Sequence, residues 1–156
     1  MEIIVKHFSE LSVDELWNIF YLRDQVFIVE QKCPYQDIDE HDKCAYHVMC
    51  YDDNRMVACA RVLPKNTMLD EISIGRVVCI KRRCGFATKM LKKAIEVAID
   101  KFNAQTIELM AQTYAIGLYQ KVGFKEYGEV FLEDDIPHIM MTFTINNILK
   151  CKCTQL

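Results

Sequence analysis

The sequence predicts a mixed α/β fold: one sheet of about seven strands, mostly antiparallel, with helices on both faces. Three observations predict it. Short runs rich in β-branched and aromatic residues recur along the chain, and stretches with helical spacing interrupt them. Near the middle, a strand-like run leads into a long helix and then another strand, which sets two strands parallel. Elsewhere successive runs are separated by short polar turns, which sets them antiparallel.

Taken in order, Glu2 to Phe8 alternates loosely and reads as the first strand. Ser12 followed by Glu15 is a capping-box signature, and Leu16, Ile19, Phe20, Arg23 and Phe27 follow at helical spacing, so a helix covers about 13–29. The stretch from Cys33 to Asp42 holds Pro34 and turn-forming aspartates. It reads either as a solvated acidic loop or as the mouth of a site that receives a cation. Two apolar runs, Tyr46 to Tyr51 and Met56 to Leu63, flank Asp52–Arg55 and predict a hairpin. Pro64 ends the second run, and Lys65 to Glu71 links it to a strand that begins at Ile72 and runs to Ile80.

A basic turn, Lys81 to Gly85, then opens a helix with Met90, Leu91, Ala94, Ile95 and Ala98 on one face. Thr106 to Ala111 is the next strand, and Tyr114 to Val122 a short helix stopped by Gly123. Phe124 to Phe131 and His138 to Ile145 close the sheet across Glu133-Asp134-Asp135 and Pro137. One domain over 1–148 and a peripheral tail over 149–156 are expected.

Composition narrows the functional classes. The chain has 156 residues, 51% of them hydrophobic and 26% charged, enough for one domain burying about two thirds of its unfolded surface. A formal net charge of −3 argues against a general nucleic-acid binder. No uninterrupted apolar run approaches the roughly 18 residues of a membrane span, and the opening residues are too polar for a secretion signal. A cytoplasmic protein without nucleic-acid or membrane partners is expected, and a homodimer is compatible with these features. The eight cysteines, at 33, 44, 50, 59, 79, 84, 151 and 153, form no Cys-x-x-Cys pair. They read as reduced thiols, and no metal is expected, although Cys151-x-Cys153 has a spacing that a soft metal could use.

The stretch from Ile74 to Leu91 is the place where chemistry first shows. A Gly-containing turn between a strand and a helix aims backbone N–H groups and the positive end of the helix dipole at one point, as an anion requires. On these residues alone the turn is equally a plain helix start.

Arg82-x-x-Gly85-x-Ala87 in that setting resembles the acyl-CoA pyrophosphate loop of the GNAT N-acetyltransferase superfamily. Tyr119 to Phe124 resembles the family's Tyr-x-x-x-Gly-Phe helix and turn. One branch, the ElaA-like acetyltransferases, is more similar still, through Leu22 to Gln31, Cys33 to Asp39, Ile74 to Val78, Ala111-Gln112 and Glu133 to His138. Together these blocks span roughly 16–141. Asp135 departs from the glycine common in the branch, and the phosphate loop holds a single glycine preceded by Cys84.

The resemblance implies a GNAT-like sheet with a central splay for acyl-CoA. It implies an acetyl-CoA-dependent N-acyltransferase that moves the acetyl group directly to a primary amine in a ternary complex. A non-catalytic acyl-CoA-binding or sensing domain, or a protein or peptide N-acetyltransferase, is the alternative. Pantetheine would pair with Val77, Val78 and Cys79, and the pyrophosphate would sit on N–H groups from Arg83 through Cys84, Gly85, Phe86 and Ala87 to Thr88, with Arg82, Arg83 or Lys81 adding charge-assisted bonds. Gln112 is expected beside the co-substrate. The family's matching Tyr donates to the departing sulfur, a role that falls to Tyr119. Glu30, His47, His138 and Glu133 are the candidate bases, with Glu30 and His138 weighed as catalytic. Arg23, Tyr35, Asp37, Asp39, His47 and Arg76 are expected on the acceptor side, where an acidic loop would favour a cationic amine.

Overall fold

A computed structural model describes residues 1–146. Its strands are β1 (Glu2–His7), β2 (Tyr46–Asp52), β3 (Arg55–Leu63), β4 (Ile72–Cys79), β5 (Thr106–Gln112), β6 (Lys125–Glu133) and β7 (Ile136–Thr144). The helices are α1 (Val13–Arg23), α2 (Phe86–Phe102) and α3 (Ile116–Lys121). The strands form one sheet in the order β1-β2-β3-β4-β5-β7-β6, antiparallel throughout except for β4 and β5. This is the expected mixed, mostly antiparallel sheet of seven strands with helices on both faces.

Alternation along β3 shows why two layers of helix are needed. Ala58, Ala60 and Val62 join the core under α2, with Met90, Leu91, Ala94 and Ala98. Cys59, between them, joins a second core with Ile19, Leu22, Val26 and Phe27 from the other face. Side chains along a strand point alternately to the two faces, so an apolar run such as β3 must be covered on both.

The feature that builds the site is a failed pairing. β4 pairs with β5 only at Ile72–Ile107 and Ser73–Glu108. Beyond these the register on the β3 side shifts between Cys59 and Arg61, and Arg76 takes φ 49°. A bulge of this kind bends its strand, so β4 turns away from β5 and leaves its edge without a strand partner.

Three element boundaries differ from expectation. The helix expected over 13–29 is α-helical to Arg23 and then widens into a π-helical segment, Asp24–Glu30. There Gln31 N–H bonds the Val26 carbonyl at 3.1 Å and Cys33 N–H the Ile28 carbonyl at 3.3 Å, both five residues back. The helix expected over 114–122 begins as a single 3₁₀ turn, Thr113–Ala115, before α3. The acidic turn closing β6 and β7 shrinks to Asp134 and Asp135, both at positive φ, and Pro137 lies inside β7. Pro137 is tolerated because β5 reaches only as far as His138, so β7 has a single neighbour there. The tail that holds Cys151 and Cys153 lies outside the described residues.

Candidate active site

Gly85 caps α2 with φ 77° and Arg83 precedes it with φ 61°. The first bond closing the helix runs from Lys89 N–H to the Gly85 carbonyl at 3.1 Å. The N–H groups of the first turn therefore have no carbonyl within the helix to bond, and with two nearby residues at positive φ they form an anion cradle.

A cavity of about 1160 Å³ runs from this cradle along the splay. Arg82, Arg83, Gly85, Ala87 and Thr88 line its cradle end, and Val77, Val78, Cys79 and Gln112 line the splay. Cys84 and Phe86 lie outside the lining: Cys84 is exposed, and the Phe86 ring, 8% exposed, belongs to the core under α2. The basic turn is already partly engaged. Arg82 pairs with Glu30 across the cleft, and Lys81 pairs with Asp52. The Glu30 hydrogen bond, and then its charge, hold the Arg82 guanidinium above its ordinary pKa.

Tyr119, on α3, reaches the cavity from the far side of the splay. Its hydroxyl has no hydrogen-bond partner in the protein among the described residues, and burial pushes the phenol well above its usual pKa. Gly123 fixes its placement: φ is 107°, and a Cβ there would sit 2.8 Å from the Phe143 ring. The turn can thus close tightly enough for Phe124 N–H to bond the Tyr119 carbonyl at 3.1 Å.

His138 stands opposite Gln112 in the β5–β7 register and also lines the cavity. Its Nδ1 lies 2.7 Å from the Ile136 carbonyl, and the ring stacks on Phe131. A carbonyl only accepts, so Nδ1 carries the proton and the neutral ring keeps its lone pair on Nε2. The other histidine considered, His47, is 1% exposed, does not line the cavity, and has Nε2 3.1 Å from the Asp42 carbonyl. Burial holds its pKa below the ordinary histidine value, against the pull of that carbonyl and the Asp42 charge.

The loop from Cys33 to Asp42 exposes Pro34, Gln36, Ile38 and Glu40, but its aspartates are paired and do not form a negative mouth. Arg23 Nε donates to Asp37 at 2.7 Å and its Nη1 to Asp42 at 2.7 Å. Arg61 Nη1 donates to Asp39 at 2.6 Å and to Asp42 at 3.0 Å. Arg76 Nη2 reaches the Asp37 carbonyl at 3.0 Å and Asp39 at 3.2 Å. Three arginines thus match three aspartates. Burial opposes ionisation of Asp42, but the Arg23 hydrogen bond and charge, with Arg61 behind them, hold it below the usual carboxylate range. Of the acceptor-side residues expected from sequence, Tyr35, Asp39 and Arg76 line the cavity. Arg23, Asp37 and His47 do not: Arg23 and Asp37 are buried in the ion network, and His47 is buried against the Asp42 carbonyl. Arg61 is the member that sequence reasoning missed. Its one signal was a charge in the middle of an apolar strand.

The unpaired edge of β4, the free N–H groups at the start of α2 and Tyr119 thus meet in one cavity. The family model of the acetyltransferase (GNAT) domain matches residues 5–145. The chain belongs to the GNAT acetyltransferase family. Protein ElaA of Escherichia coli is 37% identical over 139 residues, covering 86% of this chain and 91% of that protein. The crystal structure of E. coli ElaA superposes with a TM-score of 0.83 at 35% identity, over 92% of this chain and 99% of that one. An acyl-CoA N-acyltransferase from Pseudomonas aeruginosa superposes with a TM-score of 0.84 at 34% identity, over 92% of this chain and all of its own. This family member is therefore an acyltransferase with an acyl-CoA co-substrate. Among its described residues, no helix is long and apolar enough to cross a membrane.

Proposed function

We propose that this protein transfers an acetyl group from acetyl-CoA directly to a primary amine, both bound in one ternary complex in the cavity. The observation that carries the reading is continuity. One cavity joins the cradle at Gly85, the unpaired edge of β4, the Tyr119 phenol and the His138 imidazole.

The chemistry follows from the groups. An alkylamine of pKa ~10.4 is neutral in roughly one molecule per 2,500 at pH 7, a cost of about 4.6 kcal/mol. His138 Nε2 takes that proton, directly or through a water, as the amine attacks the thioester carbonyl. Glu30 is a weaker candidate because Arg82 already engages its carboxylate. The edge of β4 holds the pantetheine amides as an added strand would. The cradle binds the pyrophosphate, with Arg82 and Arg83 adding charge-assisted bonds. Tyr119 stays protonated and donates to the sulfur as charge builds there.

Turnover of acetyl-CoA with a panel of amines, read by mass spectrometry of the products, tests this. Acetylated amine with the wild type, and a fall of about 100-fold with His138→Asn, the lower range of general acid–base catalysis, is the expected result. Tight acetyl-CoA binding with no acetylated amine or peptide would leave a binding or sensing domain.

A further inference from the structure

The open end of the splay has two lips. β5 ends at Gln112, and Arg82 follows the end of β4. Glu30, the last residue of the π-helical segment, and Gln31 after it reach one lip each. Glu30 pairs with Arg82. Gln31 Nε2 donates to Gln112 Oε1 at 3.1 Å, and Gln112 Nε2 donates back to Gln31 Oε1 at 3.2 Å. Gln31 Nε2 also donates to the Tyr114 hydroxyl at 3.3 Å. All five side chains line the cavity.

The two glutamines thus close a ring of two hydrogen bonds. Each amide gives one N–H and its oxygen to that ring, whichever way round the pair is set. Gln31 spends its second N–H on Tyr114, so it has no donor of its own to offer a ligand. Gln112 keeps one N–H that no protein group among the described residues accepts. A long glutamine side chain gives up rotamer freedom when a ligand fixes it, and here Gln31 has fixed Gln112 beforehand.

The other wall of the same channel is the bare edge of β4, where Val77, Val78 and Cys79 line the cavity. The N–H and C=O of a trans amide point to opposite sides. An amide of the pantetheine arm that donates to a β4 carbonyl therefore turns its own carbonyl toward β5. Left without a donor there, that carbonyl would lose the hydrogen bond it makes in water. We infer that Gln31 is a positioning residue for the acyl donor: it holds the Gln112 amide so that its free N–H receives a pantetheine carbonyl from the side opposite β4. This rests on the donor placement proposed above.

Gln31→Met keeps the length of the side chain and removes its hydrogen bonds, and Gln112→Met does the same on the β5 lip. Calorimetric titration with acetyl-CoA is expected to give binding about fivefold or more weaker in each single variant, the scale of one lost hydrogen bond. The double variant should lose no more than Gln112→Met alone, because both changes act through the same N–H. Adenosine diphosphate carries the pyrophosphate without the pantetheine arm, and it should bind all four forms equally. That equality shows the variants folded with the cradle intact. Unchanged acetyl-CoA affinity in Gln31→Met overturns the assignment, as do losses that add in the double variant. An equal loss for adenosine diphosphate makes the effect general and overturns it too. Wild-type protein that binds acetyl-CoA no better than adenosine diphosphate overturns the donor placement as well.

Discussion

Burial raises the Tyr119 pKa, while the leaving thiol ionises near 8.5 and an ordinary phenol near 10. Full proton transfer is uphill by about 2 kcal/mol even for an unperturbed phenol, and burial makes it steeper. In the proposed mechanism the residue is therefore a hydrogen-bond donor that keeps its proton. Tyr119→Phe should slow single-turnover acyl transfer about tenfold or more with acetyl-CoA affinity unchanged, and an unaltered rate removes Tyr119 from the chemistry. His47 bears on stability instead. Its folded pKa lies below the unfolded value of ~6.5, so its contribution is complete above that pH. As pH falls below ~6.5 the unfolded chain takes a proton that the folded one resists, and stability declines. Thermal unfolding between pH 7 and pH 5 should show a falling Tm, with a flatter slope in His47→Gln. Asp39 and Asp42, whose folded pKa values are depressed, add a second loss as pH falls below ~3.9.

At the scale of elements, the π-helical segment after α1 brings its end across the cleft. Gln31 exchanges amide hydrogen bonds with Gln112 at 3.1 and 3.2 Å, and Glu30 pairs with Arg82. A diphosphate that takes Arg82 Nη2 competes with Glu30 for it. Because the pair is half exposed, Glu30→Gln should tighten acetyl-CoA binding only about two- to fivefold, the range of a surface ion pair. S-acetyl-pantetheine, which lacks the pyrophosphate, should bind both forms equally. Equal acetyl-CoA affinities would mean that the pair does not compete. This bridge was not legible in the sequence. Glu30 and Arg82 are 52 residues apart, and a helix predicted from spacing alone carries no sign of the widened turn between them.

At the scale of the whole molecule, the arginine–aspartate network ties α1, the loop from Cys33 to Asp42, β3 and β4 into one unit. Removing a single partner leaves a buried charge uncompensated. Asp42→Ala should cost about 3–5 kcal/mol in chemical denaturation, far more than loss of an exposed pair such as Lys43–Glu40. The acidic loop reads in sequence as a source of negative potential because its aspartates are contiguous while Arg23, Arg61 and Arg76 are scattered over other elements. Folding cancels the charge.

What the sequence determined by itself was local and periodic. Alternation and turn residues specified the seven strands, the spacing after Gly85 specified α2, and the blocks around Gly85 and Tyr119 pointed to the family. What only the tertiary structure decided was which polar groups meet. It took His47 out of the cavity and kept His138 in it, buried the Tyr119 phenol so that its pKa rises rather than falls, and brought Arg61 opposite Gly75. The physical reason is that hydrophobic periodicity is written within ten or twenty residues. Burial and charge pairing depend on elements that only the sheet order brings together.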